Sequence, residues 1–244
     1  MREDKVMAMF NGKMKAVTFS YDDGVTQDLR VIEMLNRYGL KGTFNLNSGS
    51  FGTRWSGMIE DTFLYRDHVF EKDVSKIYEG HEVASHTINH PDLTKLSDGE
   101  VIYQVEEDRK RLSELVGYEV AGFAYPCGYV DDRVVSLIKE KTGIKYARTV
   151  TTTHRFEPPT DLYRLDFTTR NFGEHLFSLA EEFINLKPEE PKLFSVWGHA
   201  YEFDWHRDWH IFEEFLRLIS GHDDIYYGTN SECLLQMTKS EDSK

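Results

Sequence analysis

The sequence predicts an α/β protein, a single-domain (β/α)7–8 barrel of the TIM-barrel type. Apolar β-type runs alternate with amphipathic helical segments along the chain, and this alternation is typical of a parallel sheet. The 244 residues contain no low-complexity linker and no internal repeat, so we expect one domain that spans 1–244. No glycine-rich phosphate-binding motif follows a predicted strand, which makes an open, doubly wound sheet the less favoured alternative.

Each predicted element rests on a local pattern. The run "KAVTFSY" (15–21) is a buried strand, and the helix over 28–39 ends at Gly39, a residue typical of helix C-termini. Apolar residues at helical spacing predict a long helix over 98–117, whereas 51–65 reads as an irregular insertion loop. The other predicted strands span 42–47, 81–86, 120–126, 145–150, 163–169, 192–199 and 225–230, and the other predicted helices span 69–80, 131–143, 174–186, 209–221 and 231–237.

The composition argues against several classes of protein. A formal net charge of -13 disfavours a nucleic-acid or anionic-membrane partner, because either would need a basic surface. Cys127 and Cys233 are too few for a disulfide framework and lack metal-ligand spacing. No apolar run approaches the roughly 20 residues that span a bilayer, and the first fifteen residues lack the apolar stretch of a signal peptide. We therefore expect a cytoplasmic protein, with a trimmed leader as the alternative.

Polar residues follow several predicted strands at the point where each strand ends. Asp22 and Asp23 follow the first strand, His86 the third and His199 the seventh, while Arg148 lies at the end of the fifth. Isolated solvated turns are the alternative, since Asp-Gly is a common turn pair. In a parallel barrel, however, the carboxyl ends of the strands meet on one face, where active sites lie. We therefore expect these side chains to gather into one site.

The histidines of "SHTINHPDL" predict a metal site. His86 and His90 are four residues apart, so a helical turn would bring both imidazoles to one ion; a chance pair on a surface helix is the alternative. Two histidines and one carboxylate form the facial set of zinc hydrolases and of non-haem iron oxygenases. Because Asp22 and Asp23 point in different directions, one can bind the metal while the other accepts a proton from the attacking water.

Four motifs carry a resemblance to a known family. The segments "TFSYDDG", "SHTINH", "AYPCG" and "FSVWGH" have the order and spacing of the polysaccharide deacetylase family, also called the NodB-homology group or carbohydrate esterase family 4. The resemblance covers about residues 15–200. It implies an irregular (β/α)7 barrel with one divalent metal ion, zinc first and cobalt, nickel or manganese as alternatives. It also implies removal of N- or O-acetyl groups from sugars, or hydrolysis of related amides, including cyclic ones.

The resemblance also implies a role for each matched residue. Asp22 would be the general base, and His199 would be the general acid that protonates the leaving group. Asp23, His86 and His90 would hold the metal ion.

The third motif departs from the family pattern. It implies that the backbone N–H of Cys127 helps to stabilise the oxyanion. The family often has a base-orienting arginine two residues before the proline of this motif, where this chain has Ala124. We hypothesise that Arg148, on the next strand, orients Asp22 instead; an ordinary salt-bridged arginine is the alternative. The Asp-Trp pair of the family's fourth motif is not evident either, which makes this chain a divergent member.

Further residues near these motifs are candidates for substrate binding. Tyr125, Trp197 and Glu202 flank the predicted oxyanion loop and acid, where aromatic rings could stack on a sugar and a carboxylate could bind hydroxyls; packing is the alternative for each. The Cys127 thiol is a poor candidate nucleophile, because no neighbouring base is evident.

The sequence thus favours a metal-dependent deacetylase that acts on an acetylated carbohydrate or a small amide. A catalytically inactive carbohydrate-binding relative and an amide or cyclic-imide hydrolase of the same fold are the alternatives. An iron oxygenase is disfavoured, because its usual double-stranded β architecture conflicts with the strand–helix alternation.

Overall fold

A parallel sheet that closes on itself forms the centre of the computed structural model, which describes residues 9–238. In chain order the elements are β1 (Lys15–Asp23), α1 (Asp28–Arg37), β2 (Thr43–Leu46), β3 (Ser56–Ile59), β4 (Thr62–Tyr65), α2 (Val74–Ile77), β5 (Glu82–Ser85), α3 (Asp98–Ile102), α4 (Asp108–Val116), β6 (Gly122–Ala124), α5 (Asp132–Lys141), β7 (Tyr146–Thr152), β8 (Leu165–Phe167), β9 (Thr169–Arg170), α6 (Leu176–Asn185), β10 (Lys192–His199), α7 (Glu202–His206), α8 (Trp209–Ile219), β11 (Ile225–Tyr227) and α9 (Asn230–Thr238).

The strand order shows how the barrel closes. It runs β8-β7-β6-β5-β2-β1-β10-β9, and β11 pairs with β1 outside this path. The two end strands, β8 and β9, are parts of one segment interrupted at Thr168, so the segment pairs with β7 on one side and β10 on the other. At the interruption, Thr168 N donates to Ser195 Oγ at 3.0 Å and Ser195 N donates to Thr168 Oγ1 at 3.1 Å. The predicted (β/α)7–8 barrel is confirmed.

Side chains of β1 alternate between the two faces of the barrel wall. Phe19 and Tyr21 belong to the apolar layer between strands and helices, and their rings contact Phe215 and Phe212 of α8. Because successive residues of a strand point to opposite faces, Asp22 points into the barrel interior at the carboxyl end of the strand. Because Phe19 and Tyr21 pack in the apolar layer, it is Asp22 whose side chain points into the barrel.

Three predicted elements differ from the structure. The segment 51–65 contains the antiparallel hairpin β3–β4, in which Phe63 and Tyr65 are exposed on alternate positions. The helix predicted over 69–80 is reduced to a 3₁₀ turn at Glu71–Asp73 followed by α2, in which Val74 is buried. The helix over 98–117 is interrupted by a π turn at Tyr103–Glu107.

Within residues 9–238, no helix is both long enough and apolar enough to cross a bilayer. The segment for which the sequence predicts no signal peptide lies mostly outside the described residues.

Candidate active site and metal centre

The carboxyl ends of β1, β5 and β10 bring most of the predicted site residues together, and Arg148 reaches them from within β7. Asp22 and Asp23 close β1, and Asp22 lies opposite His199 in the register of β1 with β10. Asp23 has a left-handed backbone conformation, with φ of 80°. This left-handed conformation directs the two adjacent carboxylates to different places. The sequence had predicted that an extended backbone would do this.

Asp23, His86 and His90 form a candidate metal-binding group. Asp23 Oδ1 lies 3.7 Å from His86 Nε2 and 4.0 Å from His90 Nε2, and the three potential ligand atoms lie within 4.8 Å of one another. Ligand atoms about 2.0–2.2 Å from one zinc ion would be about 3–3.5 Å apart, so a small contraction would accommodate the ion. The donor set therefore fits a divalent metal.

The environment of His86 prepares one ring nitrogen for a metal ion. Its Nδ1 lies 2.7 Å from the Ala124 carbonyl oxygen, which accepts the N–H and leaves Nε2 to face Asp23. The ring is 1% exposed, and this burial lowers its pKa despite the neighbouring aspartates. A neutral imidazole is the form that binds metals.

The loop from His86 to His90 is not the predicted helical turn. Thr87 and His90 have φ of 71° and 55°, so the chain bends sharply twice, and His90 N donates to Thr87 Oγ1 at 2.9 Å. The two imidazole rings still approach to 4.7 Å between centroids. The two histidines are therefore close together, as predicted, but a bent loop rather than a helical turn brings them there.

Asp108 supports this loop from α4. Its carboxylate accepts hydrogen bonds from Ser48 N at 2.8 Å, Ser85 Oγ at 2.6 Å and His86 N at 3.3 Å. Burial raises the pKa of Asp108 to about 6, although these donors oppose the shift. The sequence offered no signal for this role, because the partners are separated in the chain.

The π turn between α3 and α4 supports the same loop. The carbonyl of Gln104 accepts from Ile88 N at 3.2 Å, and its side-chain Oε1 accepts from Asn89 N at 3.1 Å. A π turn shifts the register of a helix by one residue, and such turns are frequent at functional sites.

Asp22 lies in the barrel interior and is paired with Arg148. Arg148 Nη2 donates to both carboxylate oxygens, and Asn45 Nδ2 donates to Oδ1 at 2.8 Å. Burial alone would raise the pKa of Asp22, but the charges of Arg148, His86 and His199, together with the hydrogen bonds from Arg148, outweigh burial and the pKa falls to about 2. Arg148 occupies the position on β7 that pairs with Ala124 on β6.

The Arg148 guanidinium is fixed by its surroundings. It lies 4.7 Å from the centroid of the Trp197 ring and 5.7 Å from that of Phe167, and its Nη1 donates to the Thr149 carbonyl at 2.7 Å. Since arginine stays charged at any accessible pH, Asp22 has a permanent cationic partner.

His199 lies on the other side of Asp22 and has an acidic partner of its own. His199 Nε2 is 4.0 Å from Asp22 Oδ2, and His199 Nδ1 is 3.2 Å from Glu202 Oε1. Burial would lower the pKa of His199, but Glu202 and the two aspartates raise it to about 9. His199 is therefore protonated at neutral pH, the state that a general acid requires.

Arg170 completes the arrangement around His199. Its Nη2 donates to Glu202 Oε1 at 2.5 Å, and Glu202 Oε2 accepts from the backbone N–H of His199 at 2.9 Å. No sequence motif pointed to Arg170.

The three predicted substrate-binding residues are buried in the structure. Tyr125 is 1% exposed, and its hydroxyl donates to the Tyr163 carbonyl at 2.9 Å in the layer outside the barrel. Trp197 is 4% exposed and packs against Arg148. The carboxylate of Glu202 is already engaged by His199 and Arg170. Each of these three side chains therefore has partners within the protein, and a role in substrate binding stays a prediction.

Cys127 begins a sharp turn directly after β6. Its φ is 53°, and Gly128, with φ of 74°, follows it where an added Cβ would lie 2.3 Å from Val150 Cγ2. Burial, with the charges of Asp23 and Asp92, raises the pKa of the Cys127 thiol. The thiol is therefore unsuited to act as a thiolate nucleophile, and the role of its N–H stays a prediction.

Arg66 reaches the site from the hairpin that the sequence analysis treated as an irregular loop. Its guanidinium lies 3.8 Å from Asp23 Oδ2, 4.4 Å from the centroid of the Tyr201 ring and 5.3 Å from that of Trp55. Asp23 thus presents Oδ1 to the histidines and Oδ2 to an arginine.

Comparison with known proteins identifies the family of this chain. Residues 11–147 match the family model of polysaccharide deacetylases. The chain is 29% identical over 126 residues to the peptidoglycan-N-acetylglucosamine deacetylase PgdA of Listeria monocytogenes, a match that covers 51% of this chain and 24% of that protein. The chain spans between 24% and 54% of the length of the curated relatives that it matches.

Solved structures share the fold at lower identity. The family 4 carbohydrate esterase from Streptomyces lividans, in complex with acetate, matches with a TM-score of 0.56 at 12% identity, over 91% of this chain and 95% of that one. A CE4 family pseudoenzyme from Bacillus anthracis matches with a TM-score of 0.52 at 15% identity, over 91% and 66% of the two chains. These likenesses concern the fold alone. Because the family match covers more than half of the sequence, the chain belongs to the polysaccharide deacetylase family.

Proposed function

We propose that this protein is a metal-dependent hydrolase that removes an acetyl group from an N- or O-acetylated sugar. The observation that carries the proposal is the pair formed by Asp22 and His199, 4.0 Å apart beside the candidate metal group. The pKa of Asp22 is lowered to about 2 and that of His199 is raised to about 9, so an ionised base faces a protonated acid at neutral pH. Opposed protonation states in one site are the hallmark of acid–base catalysis.

Asp23, His86 and His90 would hold the metal ion, with zinc as the first candidate. A bound divalent ion supplies Lewis acidity, which polarises the acyl carbonyl and makes water more acidic. Arg66 and the Ala124 carbonyl would orient two of these ligands from outside the coordination sphere.

In the proposed reaction, Asp22 accepts a proton from the attacking water while the water oxygen adds to the acyl carbon. The carbonyl oxygen becomes an oxyanion, to which the backbone N–H of Cys127 would donate. His199 then gives its Nε2 proton to the leaving nitrogen or oxygen as the acyl bond breaks. Arg148 keeps Asp22 ionised, and Glu202 keeps His199 charged until that transfer.

The relatives support an acetylated glycan as the substrate class, because several of them are named as peptidoglycan-N-acetylglucosamine deacetylases. An acetylated glucosamine oligomer is therefore the first substrate to test. Small cyclic amides belong in the same panel, because the family resemblance of the sequence also implies them as substrates.

The test is acetate release from N-acetylated and O-acetylated sugars, with zinc-loaded protein and with protein treated with a chelator. We expect release that stops with chelator and returns with zinc. A protein that binds zinc but releases no acyl group from any substrate would instead be a non-catalytic member of the family.

A further inference from the structure

Two asparagines on β2 and just after it donate to two different parts of the site. Asn45 and Asn47 are 1% and 2% exposed and lie two residues apart, on one face of the chain. The intervening Leu46 belongs to the apolar layer outside the barrel. Polar side chains this deeply buried need hydrogen-bond partners, and those partners show what each amide holds in place.

Asn45 donates to the proposed base. Its Nδ2 lies 2.8 Å from Asp22 Oδ1, 2.9 Å from Ser20 Oγ and 3.2 Å from the Tyr21 carbonyl. The amide therefore fixes Oδ1 and leaves Oδ2 toward His199, 4.0 Å away.

The support under Asn45 continues to the opposite end of the barrel. Asn230, at the start of α9, donates from Nδ2 to Ser20 Oγ at 3.4 Å and accepts from Thr18 Oγ1 at 2.8 Å. Its backbone N–H donates to Thr43 Oγ1 at 2.9 Å. These bonds fix Ser20, whose hydroxyl in turn accepts a hydrogen bond from Asn45.

Asn47 donates to the metal-binding loop instead. Its Nδ2 lies 2.5 Å from the His86 carbonyl and 3.0 Å from the Thr87 carbonyl. These two carbonyls flank the first left-handed bend of the loop, at Thr87 with φ of 71°. The amide thus stabilises the bend that brings His90 back toward His86.

We propose that Asn45 and Asn47 are positioning residues with separate duties: Asn45 orients the base Asp22, and Asn47 holds the metal ligands His86 and His90. The proposal rests on the proposed function and adds two residues to it. The two duties follow from position in the chain. The amide of Asn45 contacts β1, and the amide of Asn47, two residues later, contacts the loop after β5.

The test compares Asn45→Leu with Asn47→Leu, which keep side-chain volume and remove the donors. Zinc affinity is measured on the metal-free proteins by competition with a chromophoric chelator, and kcat and KM are measured at saturating zinc on an acetylated substrate. Asn45→Leu should lower kcat by about 10- to 100-fold, because a misplaced base loses near-attack geometry. Its KM and zinc affinity should stay within about threefold of wild type, since the loop is untouched.

Asn47→Leu should weaken zinc binding by about 10- to 100-fold, the usual effect of losing a partner that orients metal ligands. Its kcat at saturating zinc should fall less than that of Asn45→Leu, since Asp22 keeps its partners. Asn45→Ser and Asn47→Ser, whose shorter side chains cannot reach the same acceptors, replace any leucine variant that fails to fold.

Equal effects of both variants on zinc affinity and on kcat would overturn the proposal, because they would indicate general packing roles. If the wild type released no acyl group, the proposed function would fall separately. The zinc titration would still decide the division, because only the Asn47 variant should bind zinc more weakly.

Discussion

Arg148 on β7 donates to both carboxylate oxygens of Asp22 on β1 across the interior of the barrel. It does so from the position that pairs with Ala124, the place where the family often has its arginine. In this chain, therefore, the cation that pairs with Asp22 comes from β7, one strand away from Ala124 on β6.

Replacing Arg148 should disable Asp22 and destabilise the fold. In Arg148→Ala, burial would act on Asp22 without its cation, so the acid limb of the pH profile of kcat/KM should move to higher pH. Leaving one member of a buried ion pair alone should cost about 3–5 kcal/mol of unfolding free energy. Activity profiles from pH 3 to 9 and urea unfolding at pH 7 measure the two effects.

The matched control returns the arginine to the neighbouring strand. Ala124→Arg combined with Arg148→Ala should recover part of the lost kcat, since the new side chain starts from the register position beside the old one. If the single variant kept the wild-type pH profile, Asp22 would have no need of this cation.

The ion pair also predicts how stability depends on pH. The pKa of Asp22 is lowered in the folded protein, so the pair stabilises the fold above the unfolded value of about 3.9. This stabilisation should be lost as the pH falls from about 4 toward 2, and the loss should be absent in Arg148→Ala. Urea midpoints measured between pH 2 and pH 6 for both proteins test this difference.

Glu202 should set the alkaline limit of activity. The pKa of His199 is raised to about 9, and Glu202 is its main anionic partner, so Glu202→Gln should move the alkaline limb of the kcat profile to lower pH. NMR titration of the His199 ring checks the shift directly. Arg170→Gln, which leaves Glu202 in place, serves as the control and should retain most of the alkaline range. An unchanged ring titration in Glu202→Gln would show that other charges hold the proton.

Metal binding and base catalysis should be separable by substitution. His86→Ala removes a ligand and should lose both zinc and activity, whereas Asp22→Asn should retain zinc and lose turnover, by about 100-fold or more for a general base. Zinc content by mass spectrometry and acetate release give the two readouts. Full activity in Asp22→Asn would refute the assignment of the base.

Gly128 should be required for the turn after β6. Gly128→Ala forces an alanine to φ of 74° and places its Cβ 2.3 Å from Val150 Cγ2, so it should destabilise the fold by about 1–3 kcal/mol. Gly99→Ala is the control, because it lies in α3 with no atom within 4 Å of the added Cβ and should be neutral or mildly stabilising. Urea unfolding of both variants measures the contrast; equal losses would contradict the steric explanation.

The barrel and most of the polar positions could be read from the sequence, because both depend on local patterns. Alternating strand and helix signals predicted the parallel sheet, and the ends of its strands predicted where Asp22, Asp23, His86 and His199 would meet. Arg148 was expected at the end of its strand; it lies within β7 instead, and its long side chain reaches Asp22 from there.

Contacts between residues distant in the chain were decided only by the tertiary structure. Asn45 and Asn47 have no motif of their own, and the left-handed bend at Thr87 is stabilised by Asn47 from another part of the chain. The burial of Glu202 and its bonds to His199 and Arg170 could likewise not be read from the sequence. Closure of the barrel buries these groups and selects their partners, and burial of polar groups depends on the whole fold rather than on neighbours in sequence.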